Sequence, residues 1–145
     1  MHHAVQKIIN LSGVVHLRAP EAAAILLAYY GALERGVDVQ YEVKADLGGC
    51  TVPPEKLAPA LESILLYSVE CLALPENKDR VMEVSIGAAD RGYLFGVRYK
   101  TPAMHSGTDG ILRDIGDKLL LYGASVKQSH INGRTEIFVF LPAAG

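Results

Sequence analysis

The chain has 145 residues, 50% of them apolar and 21% charged, with a formal net charge of -2 and a pI near 6.2. That length supports one well-buried core and is too short for two ordinary domains. The near-balanced charge gives no electrostatic footprint for nucleic acid or an anionic membrane surface. The longest apolar run, Ile64–Leu74, is broken by Ser68 and Glu70 and falls short of the ~18 residues of a spanning helix.

Two cysteines far apart, Cys50 and Cys71, lie in no C-x-x-C pattern and are read as reduced thiols, with neither a disulfide framework nor a zinc site. His2, His3, His16, His105 and His130 show no metal-ligand spacing. No secretory signal is visible.

In chain order, AVQKIINLSGVVHL at the start reads as a helical segment with little of its own to pack on. PEAAAILLAYYGALER, from Pro20 to Arg35, is rich in helix formers, with proline in the first turn and Gly36 as the stop. Strict alternation then predicts a half-buried strand over Val37–Ala45: Val37, Val39, Tyr41, Val43 and Ala45 share one face. A loop rich in glycine and proline spans Asp46–Pro54. The next helix, Glu55–Leu74, places Leu57, Leu61, Ile64, Leu65, Ser68 and Leu72 on one broad face. Ser63, Leu66, Tyr67 and Glu70 fall on the opposite one.

Two alternating strands follow, Val81–Gly87 and Tyr93–Lys100, and then a loop over Thr101–Asp109. A helix from Gly110 has Ile111, Ile115, Leu119 and Tyr122 at helical spacing and Gly123 as its left-handed stop. Asn132-Gly133 supplies the positive φ values of a two-residue hairpin turn between Ser125–Ile131 and Thr135–Leu141, and Pro142 ends the last strand. This order predicts an α+β fold: a two-layer α/β sandwich with a mixed, mostly antiparallel sheet and its helices on one face. Residues 20–145 are expected to form one domain, with residues 1–19 as linker or the end of an upstream helical hairpin.

Three stretches of the sequence, LRAPEAAAILLAYYGALERGVDVQYEV, LAPALESILLYSVECL and YGASVKQSHINGRTEIFVFLP, together with this element order, resemble the ATP-binding (GHKL) domain shared by histidine kinases, gyrase and Hsp90. Within it they are most similar to citrate-type and quorum-sensing sensor kinases and to the C-terminal domain of sporulation-type phosphotransferases. The resemblance implies a cytoplasmic signalling domain whose partner is a response regulator or phosphorelay protein. It also implies a homodimer through an upstream hairpin bearing the phosphorylated histidine. His2, His3 and His16 fall near the end of that hairpin rather than in its first helix, so none of them matches the phosphoacceptor.

The resemblance further assigns a nucleotide cleft to definite positions. The two asparagine positions of the family helix fall on Ser63 and Tyr67, and an acidic position falls on Glu70. The aspartate that meets adenine corresponds to Tyr99, in the frame Tyr99-Lys100-Thr101. The phosphate-cradling glycines reduce to Gly107 and Gly110. A phenol is a poor substitute for an amide oxygen on magnesium, and a missing buried partner can abolish base discrimination. The expectation is therefore a vestigial site at Ser63, Tyr67, Glu70, Tyr99, Thr101 and Gly110, with no catalytic residue, metal or cofactor. ATP and magnesium enter only in the alternative of a working kinase domain with divergent ligands. Plainer roles also fit: Glu70 as a solvated helix residue, Gly110 as the start of a helix, Asp109 as its N-terminal cap.

Overall fold

A computed structural model describes residues 20–101 and 108–144. The expectations for residues 1–19 and for Gly107 lie outside the described residues.

Helix α1 (Pro20–Arg35) opens on a proline whose missing N–H costs nothing in the first turn, and it has Glu21 and Arg35 at the ends that favour their charges. Strand β1 (Asp38–Val43) follows, then a 3-10 turn at Leu47–Gly49 capped by the Asp46 carboxylate on Gly48 N–H. Helix α2 (Pro54–Leu72) begins one residue before the predicted start and ends two before the predicted stop. Pro59 sits inside it on the exposed side, where solvent satisfies the carbonyl that its missing N–H leaves free.

Strands β2 (Val81–Ala89) and β3 (Gly92–Lys100) form the first hairpin. Helix α3 (Thr108–Leu120) leads into β4 (Ser125–Ile131) and β5 (Arg134–Pro142). At the turn between these last strands, Asn132 and Gly133 have φ of 54° and 73°, the pair of positive values that a tight right-twisted hairpin requires.

Five strands make one sheet in the order β1-β2-β3-β5-β4. β1 runs parallel to β2 because α2 is the crossover between them, and every other pairing is antiparallel. Alternation then decides which residues share a face. Val39, Met82, Val84, Ile86, Phe95, Val97, Tyr99, Ile137, Val139 and Leu141 are buried, while their neighbours in sequence turn the other way. Against that face α1 packs Ala24, Ile25, Ala28, Tyr29 and Ala32, α2 packs Leu57, Leu61, Ile64, Leu65 and Leu72, and α3 packs Leu112, Ile115 and Leu119. The result is the expected two-layer α+β sandwich with one core.

Three local expectations are corrected. The strand predicted over Val37–Ala45 is shorter, because Val37 N–H is taken by the Ala32 carbonyl and only the next residue joins β2. α3 already includes Thr108, so Gly110 does not begin it and Asp109 lies within the helix instead of capping it. Its core stripe is Leu112, Ile115 and Leu119, with Ile111 39% exposed and Tyr122 in the turn beyond the helix. The sequence spacing fits either stripe, and packing of Leu112 against the sheet selects one.

Candidate functional site

One row of residues crosses the inner face of the sheet, set by register alone. Val39 pairs with Met82, Met82 with Tyr99, Tyr99 with Thr135, and Thr135 with His130. Tyr99 is 4% exposed, and its hydroxyl meets Ser68 and the Cys71 thiol of α2. Tyr67 reaches the same thiol from within the helix, four residues before it. Residues i and i+4 lie one above the other on a helix, so Tyr67 and Cys71 share a flank and the strand brings Tyr99 to them. Ser68 spends its own proton on the Ile64 carbonyl at 2.8 Å.

Burial governs the chemistry of this cluster. Desolvation pushes the Tyr99 hydroxyl well above the ordinary tyrosine range, and the neighbouring Cys71 adds to the shift. Burial also pushes the Cys71 thiol up, opposed by hydrogen bonds from Tyr67 and Tyr99. The Tyr99 hydroxyl and the Cys71 thiol are therefore protonated and neutral at neutral pH. They offer one another hydrogen bonds, and they offer a cation or an amino group no anionic oxygen.

The remaining predicted positions scatter around this cluster. Thr101, next on the inner face after Tyr99, is buried and bonds Thr135 hydroxyl to hydroxyl at 2.9 Å, and Thr135 in turn meets His130 Nδ1 at 2.9 Å. Ser63 is exposed on α2, one turn before Tyr67. Glu70 is exposed and faces α1, where its carboxylate lies 3.7 Å from Arg35; a pair so open to solvent contributes little. Gly110 is exposed on α3, and a Cβ built there would meet nothing within 4 Å. Tyr67 and Tyr99 are thus brought together on Cys71, and Thr101 is linked to the row through Thr135; Ser63 and Gly110 share no described contact with them, and Glu70, next to Cys71, acts on its thiol only through its charge.

Sequence reasoning missed Ser68 and Cys71, the two α2 residues that hold Tyr99. Ser68 carries only its core-face position as a signal, and Cys71 lies in no C-x-x-C pattern. The signal was present in the i, i+4 spacing of Tyr67 and Cys71. Thr135 and His130 were also missed, since nothing before the strand register links them to Thr101. Among the described residues, no three His, Cys, Asp or Glu gather as a metal site, and no helix is long and apolar enough to cross a membrane.

No protein-family model and no curated protein matches the sequence. Solved structures do match. The cytoplasmic segment of histidine kinase QseC is similar over 98% of this chain and 92% of its own, with a TM-score of 0.66 at 18% identity. The catalytic domain of histidine kinase ThkA, in a nucleotide-free form, is similar over 86% and 90%, with a TM-score of 0.65 at 8% identity. This chain has the histidine-kinase ATPase-type fold.

Histidine kinase AdeS of Acinetobacter baumannii is similar at a TM-score of 0.62 and 7% identity, over 85% of this chain. The histidine kinase domain of the Erythrobacter litoralis EL346 blue-light-activated kinase gives 0.61, at 15% identity over 86%. The chain spans 64% and 61% of those two proteins, less than two thirds of either. In all four the likeness lies in the arrangement of sheet and helices, as the low identities require. The histidine-kinase ATPase-type fold places α2 and the end of β3 side by side here, and Tyr67, Cys71 and Tyr99 meet at that junction.

Proposed function

We propose that this chain is the C-terminal, ATPase-like domain of a two-component signalling protein, a histidine kinase or a sporulation-type phosphotransferase, whose nucleotide cleft is filled by its own side chains. The observation behind this reading is the burial of Tyr99 at the position the resemblance gives to the adenine-binding aspartate, with its hydroxyl engaged by Ser68 and Cys71. ATP and magnesium do not fit the residues around it. Adenine selection requires a carboxylate, and a buried neutral phenol takes its space. Magnesium requires hard oxygens in near-octahedral array, and the asparagine positions hold exposed Ser63 and Tyr67, the latter on the Cys71 thiol.

Such a domain has no phosphoryl donor of its own. Its role is to present a surface to a response regulator or phosphorelay protein, while a histidine on an upstream helical hairpin receives and passes the phosphoryl group. The test uses a chain extended upstream to include that hairpin. A phosphorylated receiver domain is expected to label the hairpin histidine, and radiolabelled ATP with magnesium is expected to leave it unlabelled. Autophosphorylation from ATP would instead favour an active kinase domain with divergent ligands.

A further inference from the structure

The sheet edge opposite β1 is open among the described residues: β4 pairs with β5 on one side and with no strand on the other. A free edge presents unpaired N–H and C=O groups to any second strand, and isolated proteins usually guard it with charge, proline or a bulge. β1, the other edge, has Asp38 and Glu42 with Lys44 just beyond. β4 has one lysine, Lys127, and otherwise neutral residues and His130.

Helix α3 turns a second stripe toward this edge. Its core residues are Leu112, Ile115 and Leu119, whereas Arg113, Gly116, Asp117 and Leu120 recur at i, i+3, i+4 and i+7 on the flank. With Leu112, Val126 and Gln128 they line an open groove of about 600 Å³. Leu120 is 69% exposed there. Asp114 and Lys118 make an i, i+4 ion pair at 3.0 Å. Arg113 and Asp117 have the same spacing in the less favourable order, and neither makes an ion pair among the described residues.

The stripe is complementary to itself. A Cβ on Gly116 would lie 3.9 Å from the Val126 side chain, so these two residues mark one level of the groove. A two-fold axis at that level sets Gly116 against its copy, where the missing side chain permits close approach. Leu112 then stands level with Leu120 of the other copy. Arg113 lies about two residues along the axis from Asp117 of the other copy, or roughly 3 Å of helix rise. On the strands, Ser125 faces Lys127, so the two lysines do not meet. Such same-patch pairing defines an isologous contact.

We propose that the α3–β4 edge is an interface with a second copy of this chain, closed by two symmetric Arg113–Asp117 ion pairs around Gly116. The charge pattern argues for a copy rather than an unrelated partner, because a copy necessarily supplies both complements. This interface is independent of what occupies the cleft and of any dimerisation through an upstream hairpin.

Sedimentation equilibrium across a concentration series tests it. The expected result is a mass that rises toward that of a dimer and falls again in high salt. Asp117→Arg is expected to lower the association constant at least about tenfold by setting like charges together, and Arg113→Asp should do the same. The double exchange Arg113→Asp with Asp117→Arg should restore association. Both side chains are exposed, so thermal unfolding of each variant should match the parent. A parent that is monomeric at every concentration would overturn the proposal. Single variants that associate as well as the parent, or a double exchange no better than the singles, would also overturn it.

Discussion

Replacing Tyr99 by phenylalanine keeps the ring in the core and removes only the hydroxyl that meets Ser68 and Cys71. The expected cost is about 1 kcal/mol in urea unfolding, the usual net worth of one hydrogen bond. The same hydroxyl sets an alkaline limit. Its pKa is raised by burial, so the folded state disfavours the phenolate. That stability is fully present below the unfolded tyrosine value of about 10 and is lost as pH rises past it toward the folded value. Tyr99→Phe should therefore flatten the fall in stability above about pH 10, with half-buried Tyr41 and buried Tyr29, both shifted the same way, contributing to what is left. An unchanged alkaline profile would place the Tyr99 hydroxyl in solvent. Glu21 has the same sign at acid pH. Its side chain is buried, Oε1 accepts from Leu47 N–H at 3.0 Å, and Oε2 has no partner among the described residues. Desolvation raises its pKa above the ordinary glutamate value, with Asp46 adding a little. Its protonated form thus favours folding at low pH, and that contribution is lost as pH rises through the folded value. Glu21→Gln should stabilise the chain at neutral pH by about 1 kcal/mol. The gain should vanish near pH 4, where the unfolded carboxyl is itself largely protonated; a gain independent of pH would contradict this account.

Each described helix lies where its apolar spacing predicts, and the differences arise where two stripes compete. In α2 the face drawn from the sequence, from Leu57 through Leu72, is the buried face. Leu65 is fully buried on it, so Leu65→Ala should destabilise by about 2–5 kcal/mol. A loss under ~0.5 kcal/mol would remove the helix frame, and with it the placing of Ser63 and Tyr67. In α3 the spacing was satisfied equally by Ile111 or Leu112, and only contact with the sheet separates them. The Asn132-Gly133 hairpin was legible because its residues are chosen by backbone conformation rather than by a distant partner. Gly133→Ala at φ 73° should cost about 1–2 kcal/mol, the penalty of a left-handed residue with a Cβ, measured by thermal unfolding. No loss of stability would mean that another turn serves equally well.

At the scale of the molecule, the sheet's composition was legible from alternation, but its order was not. That β3 lies beside β5, leaving β4 at the edge, depends on long-range pairings that no local pattern encodes. The same pairings bring Thr101, Thr135 and His130 into one hydrogen-bonded chain and draw Tyr99 onto Cys71. The sequence places Tyr67 and Tyr99 at corresponding positions of the resembling domain; Cys71 meets Tyr67 by helix spacing, and tertiary packing brings Tyr99 to that thiol and to Ser68. The fold is that of a histidine-kinase ATPase domain, and the central proposal is that its cleft is closed by its own tyrosines. Titration calorimetry of this chain with ATP and magnesium tests that proposal most directly. The account predicts no heat of binding at millimolar nucleotide, and no difference between ATP and GTP. Micromolar binding selective for adenine would contradict it.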